Sequence, residues 1–236
     1  MSRVTNEIET IVSQALDITL SDSSSILAST KRVDYQMGDV ILDQGMDAKG
    51  LVIVLDGVVG LKRYDSEGCE RFVGIVGRGQ LLFEDVLWGN QTQTSCSTAL
   101  DNVSVITIPI EVAKKLHREN IEFANAVSKS LLSKCLLSNS INAMNCEPDM
   151  LRRVVSMVRI IAYYCKLDVI PMSMTQLGDI LGMSRNRVSQ ALKYWNEKDE
   201  ISMKRGKIYL NNGYEVNRAS DQDIDWEYTV LFRNLA

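Results

Sequence analysis

Residues 174–195 read MTQLGDILGMSRNRVSQALKYW, and apolar residues recur at helical spacing on both sides of Gly182. Glycine readily takes a positive φ, so Gly182 can end one helix and turn the chain. Ser184 follows as a natural N-cap, because its hydroxyl can accept from the free backbone N–H groups of a second helix. Gly178 offers a small residue where another helix must approach closely. The pattern predicts a helix-turn-helix.

Each predicted helix has an apolar inner face and a polar outer face. The inner faces comprise Leu177, Ile180 and Leu181 in the first helix and Val188, Ala191, Leu192 and Trp195 in the second. The outer face of the second helix is polar and basic, and its candidate binding residues are Ser184, Arg185, Asn186, Arg187, Ser189, Gln190 and Lys193. The alternative is an ordinary helical hairpin of an unrelated domain.

The segment after these helices, ISMKRGKIYLNN (201–212), alternates around KRGK and predicts a β-hairpin with Gly206 at the turn. A basic hairpin after a helix-turn-helix is a wing. Its cations Lys204, Arg205 and Lys207 are then placed to contact phosphates. Residues 148–212 are therefore predicted to form a winged helix-turn-helix domain that binds double-stranded DNA.

The charge distribution agrees with this prediction, although the net charge of the chain is −4. Residues 150–212 carry 11 basic and 5 acidic side chains, whereas residues 1–149 carry 13 and 20 and residues 213–236 carry 2 and 5. The positive charge lies in the predicted winged helix, where it favours binding to a phosphate backbone.

The composition is that of an ordinary globular protein, with 45% hydrophobic and 24% charged residues in 236. This length predicts two domains. The sequence has neither an apolar run that could span a membrane nor a signal-peptide pattern, so we expect a cytoplasmic protein. The five cysteines are widely spaced and form no C-x-x-C pair. We therefore expect them to be reduced and mostly buried, without a disulfide framework or a metal site.

Residues 1–110 are predicted to form the first domain, a β-roll or jelly roll. A short amphipathic helix over residues 1–20 and a polar SDSSS loop (21–25) precede short β-rich runs. The turn at DSEG (65–68) is a hairpin, and glycines recur at the spacing of turns between short strands, at positions 38, 45, 57, 68 and 79.

Residues 111–147 are predicted to be a long helix with an apolar seam, a feature that suggests a partner helix. The most economical partner is the same helix of a second subunit, with Val127, Leu131, Leu132 and Leu136 in the interface. The alternative is that the seam packs only on its own β domain. The NCEPD stretch (145–149) then separates this helix from the winged domain.

The order of these elements resembles the superfamily of the cyclic-AMP receptor protein and the fumarate–nitrate regulator (CRP/FNR), which are bacterial transcription factors. The resemblance covers about residues 20–212 and rests on a β-roll containing GD-x-ILDQG, a long helix, and a winged helix containing MSRNRVSQALK. It implies an α+β fold with a cyclic-nucleotide-binding-like β-roll, a dimerisation helix and a C-terminal winged helix. It also implies a homodimer on an inverted-repeat operator, regulated by an effector in the β-roll, with RNA polymerase as a candidate partner.

The effector cassette departs from the cyclic-AMP binders that the chain resembles. The glutamate of that cassette is kept as Glu84, but Phe83 replaces the preceding glycine and Thr94 stands where an arginine would neutralise the cyclic phosphate. Cyclic AMP is therefore not the expected effector. The effector-pocket candidates are Glu84, Thr94, Ser95, and the pair Ser138 and Asn139 on the long helix, where polar residues can equally fix the register.

Other effectors of the superfamily also fit poorly. The first cysteine is Cys69, so the N-terminal cysteine cluster of the oxygen-sensing branch is missing. His117 is the only histidine, and we expect it on an exposed helix face rather than as a haem ligand. A thiol redox sensor stays open, and no cofactor or effector can be named.

The recognition helix matches the superfamily more closely. Arg185 keeps the arginine suited to guanine, whereas Asn186 and Gln190 replace a glutamate and a second arginine. Asn186 and Gln190 suit adenine, or they are solvated or contact phosphate. Arg187, Lys193 and the wing cations are assigned to phosphate.

The leading interpretation is a dimeric, sequence-specific, non-enzymatic DNA-binding transcription regulator. A second interpretation is a ligand-binding regulatory protein that uses its winged helix for protein contacts. An enzyme is not expected, because the sequence has no nucleophile–base pair and no metal-ligand spacing. Residues 213–236 form a C-terminal extension with mixed acidic and apolar residues, to which the sequence assigns no role.

Overall fold

The computed structural model describes residues 3–204 and 207–211. The chain divides into two compact units, the first formed by residues 1–67 and 75–132 and the second by residues 68–74 and those from 133 onward. Among the described residues, no helix is both long and apolar enough to cross a bilayer.

The first unit begins with two helices, α1 (Arg3–Leu16) and α2 (Leu20–Leu27). The predicted loop at 21–25 is therefore wrong, because these residues lie in α2. Helix α2 forms despite its serines because Ile26 in its last turn and Ile18, two residues before it begins, are buried in the same core as Val12 and Leu16 of α1. Tertiary packing here overrides the low helix propensity of serine.

Eight strands then form the predicted β-roll. They are β1 (Lys31–Tyr35), β2 (Val40–Leu42), β3 (Gly50–Asp56), β4 (Val59–Tyr64), β5 (Glu70–Val76), β6 (Leu81–Leu82), β7 (Cys96–Ala99) and β8 (Val103–Pro109). One four-stranded sheet has the order β1-β8-β3-β6 and the other has the order β2-β7-β4-β5. The predicted turn glycines 38, 45, 57, 68 and 79 all have a positive φ, and the DSEG hairpin joins β4 to β5.

Strand β3 shows how the roll is packed. Its alternate residues Leu51, Ile53 and Leu55 are buried in a core shared with α1, whereas Val52 and Val54 are buried in a second core between the two sheets. Because successive side chains in a strand point to opposite faces, β3 serves both layers, and its neighbour β8 does the same.

Two helices follow the roll, α3 (Ile110–Glu119) and α4 (Ile121–Asn145). The predicted helix over 111–147 is thus interrupted at Asn120, which is extended at φ −123° and ψ 112°. The Asn120 side-chain oxygen accepts from the backbone N–H of Phe123 at 2.7 Å and so caps α4. Phe123 and Val127 are fully buried in the core that contains α1 and β3.

The second unit contains α5 (Met150–Cys165), β9 (Val169–Ile170), α6 (Met174–Leu181), α7 (Arg185–Glu197), β10 (Ile201–Lys204) and β11 (Lys207–Leu210). Its three strands form a sheet with the order β10-β11-β9. The Asp149 carboxylate accepts from the backbone N–H of Leu151 at 2.8 Å and caps α5 where the NCEPD stretch ends. The α+β fold with a β-roll and a C-terminal winged helix-turn-helix is confirmed.

The cysteines correct one expectation. All five thiols are free, as predicted, but only Cys96 and Cys165 are buried, whereas Cys69, Cys135 and Cys146 are exposed. Burial raises the pKa of the Cys165 thiol strongly, and it also raises the pKa of Cys96, with the neighbouring Asp43 adding to the effect.

Candidate functional site

Helices α6 and α7 meet at the turn that the sequence predicted. Ser173 caps α6 in a capping box, with the Gln176 N–H donating to the Ser173 hydroxyl at 3.2 Å. Gly182 ends α6 in the left-handed conformation at φ 59°. A Cβ added to Gly178 would lie 2.5 Å from the Met183 carbonyl oxygen, so only glycine lets the turn pack this closely. The closest neighbour is thus the backbone of the turn and not the body of another helix as predicted, and the backbone nitrogen of Arg185, where α7 begins, follows at 3.7 Å.

Helix α7 has the two faces expected of a recognition helix. The Ser184 hydroxyl accepts from the Arg187 N–H at 3.5 Å and begins the helix. The predicted inner residues are all buried. Of the predicted binding residues, Ser189 is half-buried and the other six of the helical set are exposed: Ser184, Arg185, Asn186, Arg187, Gln190 and Lys193. The structure therefore brings these candidates together on one surface, which we call the α7 face.

Two contacts hold α7 and the wing against the rest of the second unit. The indole N–H of Trp195 donates to the Leu151 carbonyl oxygen at 2.7 Å, which fixes α7 on α5. Arg159 of α5 forms an ion pair with Glu200, and both side chains are largely buried. Because Glu200 immediately precedes β10, this pair anchors the base of the wing on α5. The α7 face is thus held in place by contacts with α5.

The wing is formed by β10 and β11, which pair antiparallel with Lys204 opposite Lys207. Both lysines are exposed, and the Lys204 ammonium lies 5.9 Å from the centroid of the Tyr209 ring. Strand β11 also pairs with β9, so the hairpin is part of the unit's own sheet. The predicted turn residues Arg205 and Gly206 lie outside the described residues.

The charges of the α7 face are only partly neutralised. Lys193 lies 4.0 Å from Glu197 one helical turn further on, an exposed pair that contributes little energy. Within the described part of the chain, neither Arg185 nor Arg187 has an ion pair, and the first turn of α7 contains no acidic residue. The free N–H groups and the dipole of the helix add positive potential at this end. The arrangement suits a polyanion.

The predicted effector cassette of the β-roll lies around a short helix. Phe83 adopts the left-handed conformation at φ 65° and precedes a short 3₁₀ helix, Glu84–Trp88. The Glu84 side chain is only 3% exposed, and its Oε1 accepts from the Ser130 hydroxyl of α4 at 2.7 Å. Thr94 is exposed and Ser95 is half-buried. Among the predicted pocket residues in the first unit, Glu84 therefore already has a partner from the chain itself.

Helix α4 carries the remaining candidates. Ser138 and Asn139 are exposed. Leu131 and Leu132 are 40% and 49% exposed, and Leu136 is half-buried, so these leucines present apolar surface. Val127 is fully buried in the core of the first unit and cannot also contact a second subunit, so its assignment to the dimer interface is wrong. The alternative, packing on its own β domain, holds for this residue.

Sequence reasoning missed several features of the first unit. Ser130 gave no signal, because one serine in a helix is unremarkable until its neighbour is known. His117 was expected on an exposed helix face, but it is half-buried and packs edge-on against Trp88, with the ring centroids 5.3 Å apart.

An open depression of about 670 Å³ lies over β1 and β8, lined by Arg32, Asp34, Tyr35, Gln36, Met37, Asp56, Asn102, Val103 and Ser104. Among the described residues, no group of acidic, cysteine or histidine side chains is arranged to hold a metal.

Comparison with known proteins agrees with this architecture. Residues 32–120 match the family model of the cyclic nucleotide-binding domain. No significant match was found among curated protein sequences. Solved structures also resemble most of the chain. FixK2 from Bradyrhizobium japonicum is 17% identical, with 78% of this chain and 93% of that protein covered and a TM-score of 0.67.

Two further structures give the same result. The c-di-GMP responsive global regulator CLP from Xanthomonas campestris is 17% identical, with 81% of this chain and 99% of that protein covered and a TM-score of 0.65. A transcriptional regulator of the CRP family from Thermus thermophilus is 15% identical, with coverages of 86% and 96% and a TM-score of 0.63. The chain thus combines a cyclic nucleotide-binding-like domain with a winged helix-turn-helix. Its fold is that of the CRP/FNR regulators, and the resemblance found in the sequence is confirmed at the level of the fold.

Proposed function

We propose that the chain is a homodimeric, sequence-specific DNA-binding transcription regulator that has no enzymatic activity and acts in the cytoplasm. The observation that carries this proposal is the α7 face, where polar and basic side chains are exposed while the opposite face is buried. Exposed arginines without acidic partners in the described part of the chain, together with the exposed wing lysines, fit a surface that meets a phosphate backbone. The fold shared with transcriptional regulators supports the same conclusion.

The side chains of the α7 face are expected to contact different parts of the DNA. Arg185 is the first helical residue, and its guanidinium can donate two hydrogen bonds to guanine O6 and N7 in the major groove. Asn186 and Gln190 have amides that match adenine. Arg187 and Lys193, together with the wing cations Lys204, Arg205 and Lys207, contact phosphates and set the orientation on the duplex.

A dimer is required because one recognition helix reads only a few base pairs. The exposed leucines of α4, Leu131 and Leu132 with the half-buried Leu136, form the interface that we propose. In a two-fold dimer the two recognition helices meet half-sites about 34 Å apart in an inverted repeat. Replacing Leu131 and Leu132 with glutamate buries like charges in that interface and should give monomers by light scattering. Dimers that persist in this variant would place the interface elsewhere.

The DNA contacts are tested by selecting binding sites for two variants at fixed salt. Arg185→Ala loses a bidentate contact in each half-site, and each contact contributes roughly 1–3 kcal/mol, so binding weakens strongly and one base preference is lost. Lys204→Ala weakens binding to all sequences alike. It also lowers the slope of the logarithm of the binding constant against the logarithm of the salt concentration by about one per phosphate contact. If Arg185→Ala keeps the wild-type preference, the guanine contact belongs to another residue, with Arg187 as the first candidate.

The salt dependence of binding to duplex DNA separates this proposal from a winged helix that binds another protein. Binding to duplex DNA must fall steeply as salt rises if cations on α7 and the wing displace counterions. A chain that binds no duplex at low salt is not a DNA-binding regulator, whatever its fold.

We further propose that the β-roll responds to an effector other than cyclic AMP. Thr94 offers no positive charge to a cyclic phosphate, and the carboxylate of Glu84 already accepts from Ser130. Calorimetric titration should give no micromolar binding of cyclic AMP. The same titration with c-di-GMP, to which CLP responds, tests a second class of nucleotide. Micromolar cyclic AMP binding that is abolished by Glu84→Ala would contradict the proposal.

A further inference from the structure

Three polar residues lie in a row across the end of one sheet of the β-roll. Ser104 belongs to β8, which lies between β1 and β3, and it stands opposite Asp34 of β1 and opposite Asp56 of β3. The register of β3 shifts between Val54 and Asp56, and this bulge brings Asp56 level with Ser104. All three residues of the row line the open depression over β1 and β8. A hydroxyl is thus flanked by two carboxylates.

The Ser104 hydroxyl lacks the partner that its burial requires. Ser104 is only 6% exposed, and its oxygen makes no hydrogen bond within the described part of the chain. The hydroxyl lies close enough to Asp34 to lower the pKa of that carboxyl, as the Arg32 guanidinium also does, but it is not placed for a hydrogen bond of ordinary geometry. Most buried hydroxyls in folded proteins are hydrogen-bonded. An unpaired one at the floor of a depression therefore points to a bound polar group.

The depression carries one uncompensated negative charge. The two N–H groups that Arg32 donates to Asp34 go to the same oxygen, Oδ1, at 3.1 Å from Nε and 3.0 Å from Nη2. The second Asp34 oxygen, Oδ2, is left for another donor. Asp56 is exposed and has no ion pair among the residues that the structure describes. One guanidinium and two carboxylates line the depression, so it favours a ligand with a single positive charge.

The spacing of the row fits one small cationic group. Strands β1 and β3 are two strand spacings apart, which is about 10 Å. Carboxylates that lean toward β8 from these two strands can both bond to one nitrogen between them, because two N–H···O distances of about 2.9 Å together cover about 6 Å. A primary ammonium has three N–H donors. Asp34, Asp56 and Ser104 offer it three oxygens.

Other cations fit this row less well. A guanidinium is planar and prefers the two oxygens of one carboxylate, so it matches a single aspartate better than the whole row. A calcium ion needs six or more oxygen ligands, roughly twice what the row supplies. The depression is also lined by the side chain of Met37, which is 70% exposed, and by the half-buried Tyr35. These apolar surfaces suit an alkyl chain.

We propose that the depression is a binding site for a small primary alkylammonium ion. The nitrogen donates to Asp34 Oδ2, to the Asp56 carboxylate and to the Ser104 hydroxyl, which turns toward it by rotation about the Cα–Cβ bond. The alkyl chain packs on Met37. A volume of about 670 Å³ is in the range of small-molecule sites. The site lies outside the predicted effector cassette, and the inference does not depend on the proposed DNA-binding function.

The first test titrates the ¹⁵N-labelled full chain with n-butylammonium chloride and follows the backbone amide signals by NMR. The signals of residues 34–37, 56 and 102–104 should shift and saturate, with a dissociation constant on the order of 1 mM for so small a ligand. Butyltrimethylammonium chloride is the matched control, because it has the same charge and alkyl chain but no N–H donors. It should bind about tenfold more weakly. Equal binding of the two cations, or no saturating shift at these residues, would overturn the inference.

The second test repeats the titration with three variants of the full chain. Asp56→Asn and Ser104→Ala should each weaken butylammonium binding by about tenfold, because each removes a hydrogen bond to a charged group or its charge. Glu111→Gln is the control for net charge, since Glu111 is exposed and follows the opposite end of β8. Salt screens so distant a charge, and the affinity should change less than about twofold. Equal losses in Asp56→Asn and Glu111→Gln refute the site.

Urea unfolding separates a ligand-binding role of Ser104 from a structural one. Because the hydroxyl has no partner in the described chain, Ser104→Ala should not lower the unfolding midpoint of the β-roll. A lower midpoint would mean that the hydroxyl bonds within the chain, and the inference would fall.

A last titration distinguishes a free amine from a lysine of a partner protein. Lysine that is blocked at its α-amino and carboxyl groups carries the same butylammonium group on a peptide-like backbone. It should bind no more tightly than butylammonium, because the row contacts only the cation and its alkyl chain. Tighter binding would identify a partner's lysine side chain as the occupant and contradict the small-amine inference.

Discussion

Replacing Ser130 with alanine removes the hydrogen bond between α4 and the effector cassette. The Ser130 hydroxyl donates to Glu84 Oε1 at 2.7 Å, and the Glu84 side chain is only 3% exposed. Leaving a buried acceptor without its hydrogen-bond partner costs about 1–3 kcal/mol. Because Ser130 itself is half-buried, water can take part of its place, and we expect a loss near the lower end, about 1.5 kcal/mol. This loss should appear in the unfolding of the first unit.

Ser128 provides a matched control on the same helix. Its hydroxyl donates to the Ala124 carbonyl at 2.9 Å, within α4, and its side chain is exposed. Ser128→Ala removes only this local bond and introduces a better helix former, so the stability should change by less than about 0.5 kcal/mol.

Urea unfolding of the full chain, followed by circular dichroism, measures both variants. With a slope of about 1–3 kcal/mol per M, a loss of about 1.5 kcal/mol lowers the midpoint by roughly 0.5–1.5 M. Because the chain has two units, the transition of the β-roll has to be separated from that of the winged helix. If Ser130→Ala and Ser128→Ala shift the β-roll transition equally, the bond to Glu84 does not stabilise the unit and the reasoning is refuted.

Three further predictions concern the turn, the cassette and the thiols. Gly178→Ala should unfold the second unit at lower urea than Gly182→Ala, because the added Cβ at 178 lies 2.5 Å from a carbonyl oxygen, whereas Gly182→Ala adds only left-handed strain of about 1–2 kcal/mol; equal losses would contradict this. Phe83→Gly relieves left-handed strain of similar size, but it removes packing that contributes about 3–5 kcal/mol, so the free energy of unfolding should fall by about 2 kcal/mol. A gain in stability would show that strain dominates. A maleimide at pH 7 should label the three exposed cysteines quickly and leave Cys96 and Cys165 unlabelled in the folded chain, and fast labelling of all five in mass spectra would contradict the buried assignment.

The helix-turn-helix was predictable because its determinants are local. Ser184 as a cap, Gly182 at a positive φ and the inner face of α7 each depend on residues within one turn of the helix. The turn glycines of the β-roll were predictable for the same reason, since a positive φ is a property of one residue. These patterns were sufficient to predict the order of the elements and the fold.

The errors arose where distant residues decide the structure. Serines 23–25 are helical because Ile18 and Ile26 pack into the core of the roll, which no local pattern reveals. Val127 shares the apolar seam of α4 with Leu131, yet it is buried in the first unit while Leu131 is 40% exposed. Periodicity identifies an apolar stripe, but it does not tell which part of the stripe packs on the chain's own core.

The effector cassette shows how a fold can be kept while its chemistry changes. Phe83 stands where the related cassette has glycine, and it keeps the left-handed conformation because its ring is buried in the core between the two sheets. The backbone shape is thus set by packing, whereas ligand chemistry depends on a few side chains such as Glu84. A ligand that bonds to Glu84 Oε1 in place of the Ser130 hydroxyl competes with an intrachain bond of about 1.5 kcal/mol. Since 1.4 kcal/mol corresponds to a factor of about ten, Ser130→Ala should bind such a ligand roughly tenfold more tightly than the unmodified chain.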